Sequence, residues 1–213
     1  MRNLRSSQLT AIIVLAFAAS GPSPTSAEAP EHIQQKVDSL TRNWRMVTPE
    51  VLRDPANSEA LERLRIEAKH PHRTDARVPL LRIGDTEVVR QCLEEFHTKS
   101  SGRRQVARQL ELSGNPELIA ILANDLFRDE STVSTLVSPE FLERPISVYA
   151  ADAILGIIKA SSQFSVATKA WAASLEHQPS AEREGVRVAM RKWWLQNKRS
   201  LIAGKYSEVL PPR

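Results

Sequence analysis

Beyond residue 30 the apolar positions recur at helical spacing almost everywhere, and no stretch alternates with the period of two that a half-buried strand requires. From Thr86 to His97, the residues Val88, Val89, Cys92, Leu93 and Phe96 fall at i, i+1, i+4, i+5 and i+8, one stripe along a helix. Leu118, Ile119, Leu122 and Leu126 form such a stripe over 116–127, and Val148, Ala151, Leu155 and Ile158 over 147–159. Val186, Met190, Trp193 and Trp194 do so over 180–203. Shorter helices are expected over 31–44, 58–68, 103–112 and 165–175. Each stripe needs a partner to bury against, so the pattern predicts an all-α fold of helices packed on helices.

The punctuation between the stripes is more specific. Ile83-Gly84-Asp85-Thr86-Glu87-Val88 and Ser113-Gly114-Asn115-Pro116-Glu117-Leu118 follow one grammar. A glycine takes the left-handed position that ends one helix. Asp85 or Asn115 then accepts hydrogen bonds from the orphan N–H groups that open the next. Pro116 suits a first helical turn, and Glu87 and Glu117 favour the positive end of the helix dipole. The two glycines stand 30 residues apart and enclose a helix, a Ser/Gly turn over 99–102 and a second helix. That is one helical hairpin, of the length at which stacked helical repeats recur.

The stretch LLRIGDTEVVRQCLEEF, followed by GRRQVARQLELSGNPELIAILANDLF, resembles HEAT-type repeats. In that family a Gly-Asp/Asn-Pro-Glu turn opens the first helix and the second carries Arg-x-x-Ala-x-x-Leu, positions held here by Arg104, Ala107 and Leu110. The likeness covers about 80–128 and weakens over 147–175, where Ala151 and Ile154 stand at the Ala and Leu positions. The ending VRVAMRKWWLQNKRSLIAGKYSEVLPP resembles the Trp-Trp…Asn…Tyr…Pro close of some bacterial proteins of this kind. The resemblance implies a short, irregular α-solenoid of stacked antiparallel helix pairs, three or four in number, that works as a binding scaffold. The segment 129–144 is longer than a repeat allows, and 28–58 matches none. The expected layout is therefore an N-terminal helical or linker segment at 28–58, a HEAT-like domain at 59–205 and a tail at 206–213.

Composition changes the picture at the N-terminus. The chain has 213 residues, 41% hydrophobic and 25% charged, with one Cys. That mix excludes collagen, a disulfide scaffold and a many-pass membrane protein. Arg2 and Arg5 precede the apolar run LTAIIVLAFAA, and small residues follow it. This is the pattern of a secretory signal peptide, too short to span a bilayer, with cleavage expected after Ala27. Removing 1–27 takes two of the 29 cations and no acid, leaving 27 against 25 and a net charge of +2. The expected destination is the periplasm or the medium. No membrane span is expected to remain after cleavage, and near-neutral charge argues against a nucleic-acid partner. A lone Cys92 offers no internal disulfide.

Candidate chemistry is sparse. Cys92 lies on an apolar stripe and reads as a packing residue rather than a nucleophile. No G-x-S-x-G, C-x-x-C or Gly-rich phosphate loop occurs. His70-Pro71-His72 with Asp75 could bind a divalent metal, although Lys69, Arg73 and Arg77 argue for a charged loop. Some HEAT-type enzymes hold di-iron through His-Glu dipeptides, and this chain contains none. Asp152 is expected to face solvent opposite Val148 and Leu155. Arg187, Arg191, Lys192, Lys198, Arg199 and Lys205 form a basic run without an intervening acid. Arg191 and Lys192, together with Arg104 and Arg108, are expected to point outward and, if their helices are neighbours, to form one basic face. Trp193 and Trp194 are expected to close the end of the core beneath Tyr206 and Pro211-Pro212. The reading is an exported, non-catalytic scaffold that needs no cofactor or metal. It would bind another protein with an acidic surface through Arg104, Arg108, Arg191 and Lys192. The alternatives are a metal-dependent hydrolase built on His70, His72 and Asp75, and a structural subunit of an envelope assembly.

Overall fold

The computed structural model describes residues 31–43, 48–69, 74–98, 102–128, 145–176 and 183–212. Among these residues there are helices and turns but no strand, so the fold is all-α. In chain order the helices are α1 (Glu31–Arg42), α2 (Pro49–Arg53), α3 (Ser58–Ala68), α4 (Arg77–Arg82), α5 (Thr86–Thr98), α6 (Arg103–Ser113), α7 (Glu117–Leu122), α8 (Ile146–Ala160), α9 (Val166–Glu176) and α10 (Arg183–Ile202). Short 3-10 turns at Pro55–Asn57, Thr74–Ala76, Asp125–Phe127 and Tyr206–Glu208 join or end them. No described helix is long and apolar enough to cross a membrane. The proposed signal peptide at 1–27, His70, His72 and the 129–144 segment lie outside the described residues.

The turn grammar is realised as expected. Gly84 and Gly114 have φ of +73° and +62°, the left-handed region where a side chain is strained. Asp85 Oδ1 accepts from the Val88 N–H at 3.2 Å, and Asn115 Oδ1 from the Glu117 N–H at 3.0 Å. The two turns also bind each other. Asn115 Nδ2 donates to the Leu81 carbonyl at 3.0 Å, and Arg82 Nε donates to the Ser113 carbonyl at 3.0 Å. Gly114 in turn backs onto the end of α8, where a Cβ would stand 3.2 Å from the Ala160 carbonyl carbon. The C-terminal ends of α4, α6 and α8 thus share one edge of the molecule.

That edge orders a layer. α3 packs on α4, α4 on α6 and α6 on α8, while α5 lies against α4 and α6. α8 is the hub, flanked by α6, α7, α9 and α10. Its sequence reads as a single stripe, but it is buried nearly all round: Ile146, Ala150, Ala153, Ile154 and Ile157 are inside along with Val148, Ala151, Leu155 and Ile158. Asp152 is half-buried rather than solvent-facing. A helix apolar on every side belongs in the interior. Small residues let its neighbours close in. At Gly156 a Cβ would lie 1.5 Å from Glu111 Cγ, so α6 crosses α8 where only hydrogen fits.

The first and the last described helices, α1 and α10, join the same core. α1 packs on α3 and α4 with Val37 and Leu40 buried, so α1 belongs to the core. Residues 206–210 pack back onto the helices. Tyr206 and Val209 are buried, and Thr168 Oγ1 donates to the Val209 carbonyl at 2.8 Å. Asn197 on α10 holds Leu210 twice, donating to its carbonyl at 2.9 Å and accepting from its N–H at 3.1 Å. Each large apolar side chain fully buried contributes about 1.5–3 kcal/mol, so these contacts hold α1 and the closing 3-10 turn against the core.

Candidate functional site

The four cations expected to form a binding face do not share one environment. Arg104 and Arg108 are exposed on α6, where Arg108 pairs with Glu111. Lys192 is exposed on α10. Arg191 is half-buried and committed inward: its Nε donates to the Leu126 carbonyl at 2.5 Å, and its guanidinium lies 5.5 Å from the centre of the Phe127 ring. α6 and α10 each pack on α8 rather than on one another. The condition for one continuous face, that these helices be neighbours, is not met by direct packing.

Five arginines, with Arg77 and Arg103 buried, Arg82 and Arg191 half-buried and Arg53 exposed, tie down helix ends. Arg77 Nε donates to the Ala68 carbonyl at the end of α3, at 3.0 Å. Arg103 does the same for α5, with Nε on the Phe96 carbonyl at 2.8 Å and Nη2 on that of His97 at 3.4 Å. Arg82 serves α6 and Arg191 the 3-10 turn after α7. Arg53 Nη2 reaches the Ile83 carbonyl past the end of α4 at 3.2 Å. The last carbonyls of a helix have no partner in the helix and carry the negative end of its dipole, so a guanidinium there satisfies both hydrogen bonding and charge. Arg77 also grips Glu95 with two bonds, of 2.8 and 3.0 Å, and that pairing raises the Arg77 pKa. Burial acts the other way on Arg82 and lowers its pKa.

The residue that makes such a tie is not Arg104 of the Arg-x-x-Ala-x-x-Leu pattern but Arg103, one position before it. A clue stood in the sequence. Arg77 and Arg103 each open a helix, where a cation meets the wrong end of its own dipole. The placement makes sense once each serves the helix before it.

One cluster escaped sequence reasoning altogether. His97 Nε2 lies 3.1 and 3.0 Å from the two oxygens of Asp125, whose carboxylate is buried and also accepts from Arg128 Nη1 at 3.2 Å. The pair is 28 residues apart and belongs to no motif. It ties the end of α5 to the Asp125–Phe127 turn, beside the Arg191 contact with Leu126 and Phe127. An imidazole so oriented has the form of a general base. Among the described residues, however, its hydrogen bonds go to Asp125 alone, and no hydroxyl or thiol joins them, which makes the pair a strap.

The remaining candidates fall into place as packing. Cys92 is buried, and burial pushes its thiol up to about 11 against the pull of Arg77, so it is protonated and shielded at neutral pH. Trp193 is fully buried and stacks on Trp171 with ring centres 5.6 Å apart, while Trp194 is half-buried. The closing segment folds back as expected, but Tyr206 packs on Phe164, at 5.7 Å, and Asn197 does the fastening. Asp75 is exposed in its 3-10 turn. Among the described residues no three metal-binding side chains come together.

No protein family, curated protein or solved structure matches this chain. The class defined by the fold is an all-helical protein, and any functional reading stands on its own residues.

Proposed function

We propose that the chain is an exported, non-catalytic scaffold, a short and irregular HEAT-like stack of antiparallel helix pairs that binds a partner protein bearing an acidic surface. The observation that carries this reading is the edge formed by the turns after α4 and α6. There Asn115 and Arg82 cross-link successive units, and Gly114 seats the row against α8. A helix held in this way presents its outward side chains with little freedom left to lose on binding. Arg104 and Arg108 on α6 and Lys192 on α10 supply the charge that orients an acidic partner, with a few buried anchors supplying affinity. Arg191 contributes by holding α10 against the turn at Leu126 and Phe127 rather than by direct contact.

The test is cross-linking capture with the purified protein in its own envelope or secreted fraction, beside an Arg104→Glu/Arg108→Glu variant of unchanged circular dichroism. One stoichiometric protein, lost in the variant, is the expected result. An empty capture, or one that the variant leaves intact, overturns the assignment of that face.

A further inference from the structure

α10 has two apolar sides. The inner one is Val186, Met190, Trp193, Asn197 and Leu201, all buried. Opposite it, Val188, Leu195 and Ile202 recur every seven residues and are 54%, 56% and 69% exposed. Seven residues return to within about 20° on a helix, so the three form a nearly straight seam about 21 Å long. Lys192 and Arg199 lie along one side of the seam and Lys198 along the other, all exposed. From residue 185 to 202 there is no Asp or Glu. The nearest acid on the helix, Glu184, is paired with Arg187.

Single exposed apolar residues are ordinary on a protein surface, but three at heptad spacing have the form of a coiled-coil seam. Charge decides what can cover it. In an antiparallel pairing of two copies about Leu195, Lys192 would face Arg199 of the second copy, and in a parallel pairing Arg199 would face Lys198 of the second copy. Both arrangements set like charges together. A membrane surface takes a broad apolar face, commonly with aromatics, and this seam is one side chain wide and has none.

We propose that the seam Val188–Leu195–Ile202 docks an acidic amphipathic helix of a partner protein, with apolar residues at heptad spacing on the seam and carboxylates against Lys198 and Arg199. This rests on the scaffold reading above and adds the form of the partner. The side chains on the seam supply the anchors, and the flanking cations fix orientation and exclude basic partners.

The test uses two labelled helical peptides of three heptads, each with Leu at heptad spacing, one flanked by Glu and the other by Lys, titrated with the purified protein by fluorescence anisotropy. The Glu peptide should bind and weaken with salt, and the Lys peptide should not bind. Leu195→Ser/Ile202→Ser should weaken the Glu peptide at least about tenfold, and Lys198→Glu/Arg199→Glu should reverse the preference. Equal binding of both peptides, or indifference to the seam variant, overturns the proposal. So does seam-dependent sedimentation with phosphatidylglycerol vesicles in the absence of peptide binding, or a dimer that Leu195→Ser abolishes. The two readings fail separately. Capture that is lost in Arg104→Glu/Arg108→Glu but kept by the seam variant sinks the seam alone. Seam-dependent peptide binding with an empty capture sinks the α6 face alone.

Discussion

α8 and α10 are the longest described helices, of 15 and 20 residues, and both have the spacing of a one-sided amphipathic helix. They end up in opposite situations. α8 has neighbours all round and buries almost every side chain, with Ala and Gly wherever another helix comes close. α10 meets α7 and α8 on one side and leaves a second apolar line outside. The stripe identifies an inward face in each case. How many further faces turn inward depends on the number of neighbours, which the period of 3.6 does not contain. The better signal is the residue type between the stripe positions: Ala150, Ala153 and Gly156 in α8, Lys192, Lys198 and Arg199 in α10.

The sharpest way to break this contrast is to truncate the inner face of α10. Trp193 is fully buried and stacked on Trp171, so Trp193→Ala should cost about 3–5 kcal/mol in urea denaturation. Its Nε1 is buried without a hydrogen-bond partner among the described residues. Trp193→Phe therefore removes an unsatisfied donor as well as volume, and should cost less than the alanine change. A loss of under about 1 kcal/mol for Trp193→Ala would mean that this side of α10 is not core.

The same contrast separates what was legible in the sequence from what was not. Gly84-Asp85 and Gly114-Asn115 were readable because a left-handed glycine and a capping side chain act on residues two to four positions away. The stacking of those turns was not, since Asn115 reaches Leu81 across 34 residues and Arg82 reaches Ser113 across 31. Arg103 and Arg104 are adjacent, and the helical period admits either as the outward one. The inward place falls to Arg103, because from the first position of α6 it meets the Phe96 carbonyl, and Arg104 is left exposed. Thr168 and Val209, or His97 and Asp125, pair only because the whole chain has folded. Local chemistry announced the longer helices and the two glycine turns but not α2 or α4, and long-range hydrogen bonds assigned the arginines between surface and structure.

A change on α8 should have an intermediate effect and a counter-intuitive sign. Gly→Ala in an exposed helix gains about 1 kcal/mol from propensity alone. At Gly156 the new methyl would stand 1.5 Å from Glu111 Cγ and 2.7 Å from Glu111 Cβ. A rotamer change can move the first atom but not the second, so α6 and α8 must separate. Overpacking of that kind costs about 1–3 kcal/mol. Gly156→Ala should therefore destabilise, by about 1–2 kcal/mol net, as read from the denaturation midpoint at unchanged slope. A stabilised variant would show that α6 and α8 do not meet closely at Gly156.

The smallest effect belongs to the outer face of α10 and lies two residues from the largest. Leu195 is more than half exposed. Its replacement by Ser gives up little buried area and a few tenths of a kcal/mol of helix propensity. Leu195→Ser, and equally Val188→Ser or Ile202→Ser, should leave stability within about 0.5 kcal/mol of the parent in the same urea titration. Set beside Trp193→Ala, that makes one helix whose two apolar sides differ several-fold in what they contribute to folding. The inner side is held by burial. The outer side can be lost without loss of fold, which is what a surface kept for another protein requires. A cost of about 2 kcal/mol or more for Leu195→Ser would instead make the seam part of the folded core, and the distinction between the two faces of α10 would be gone.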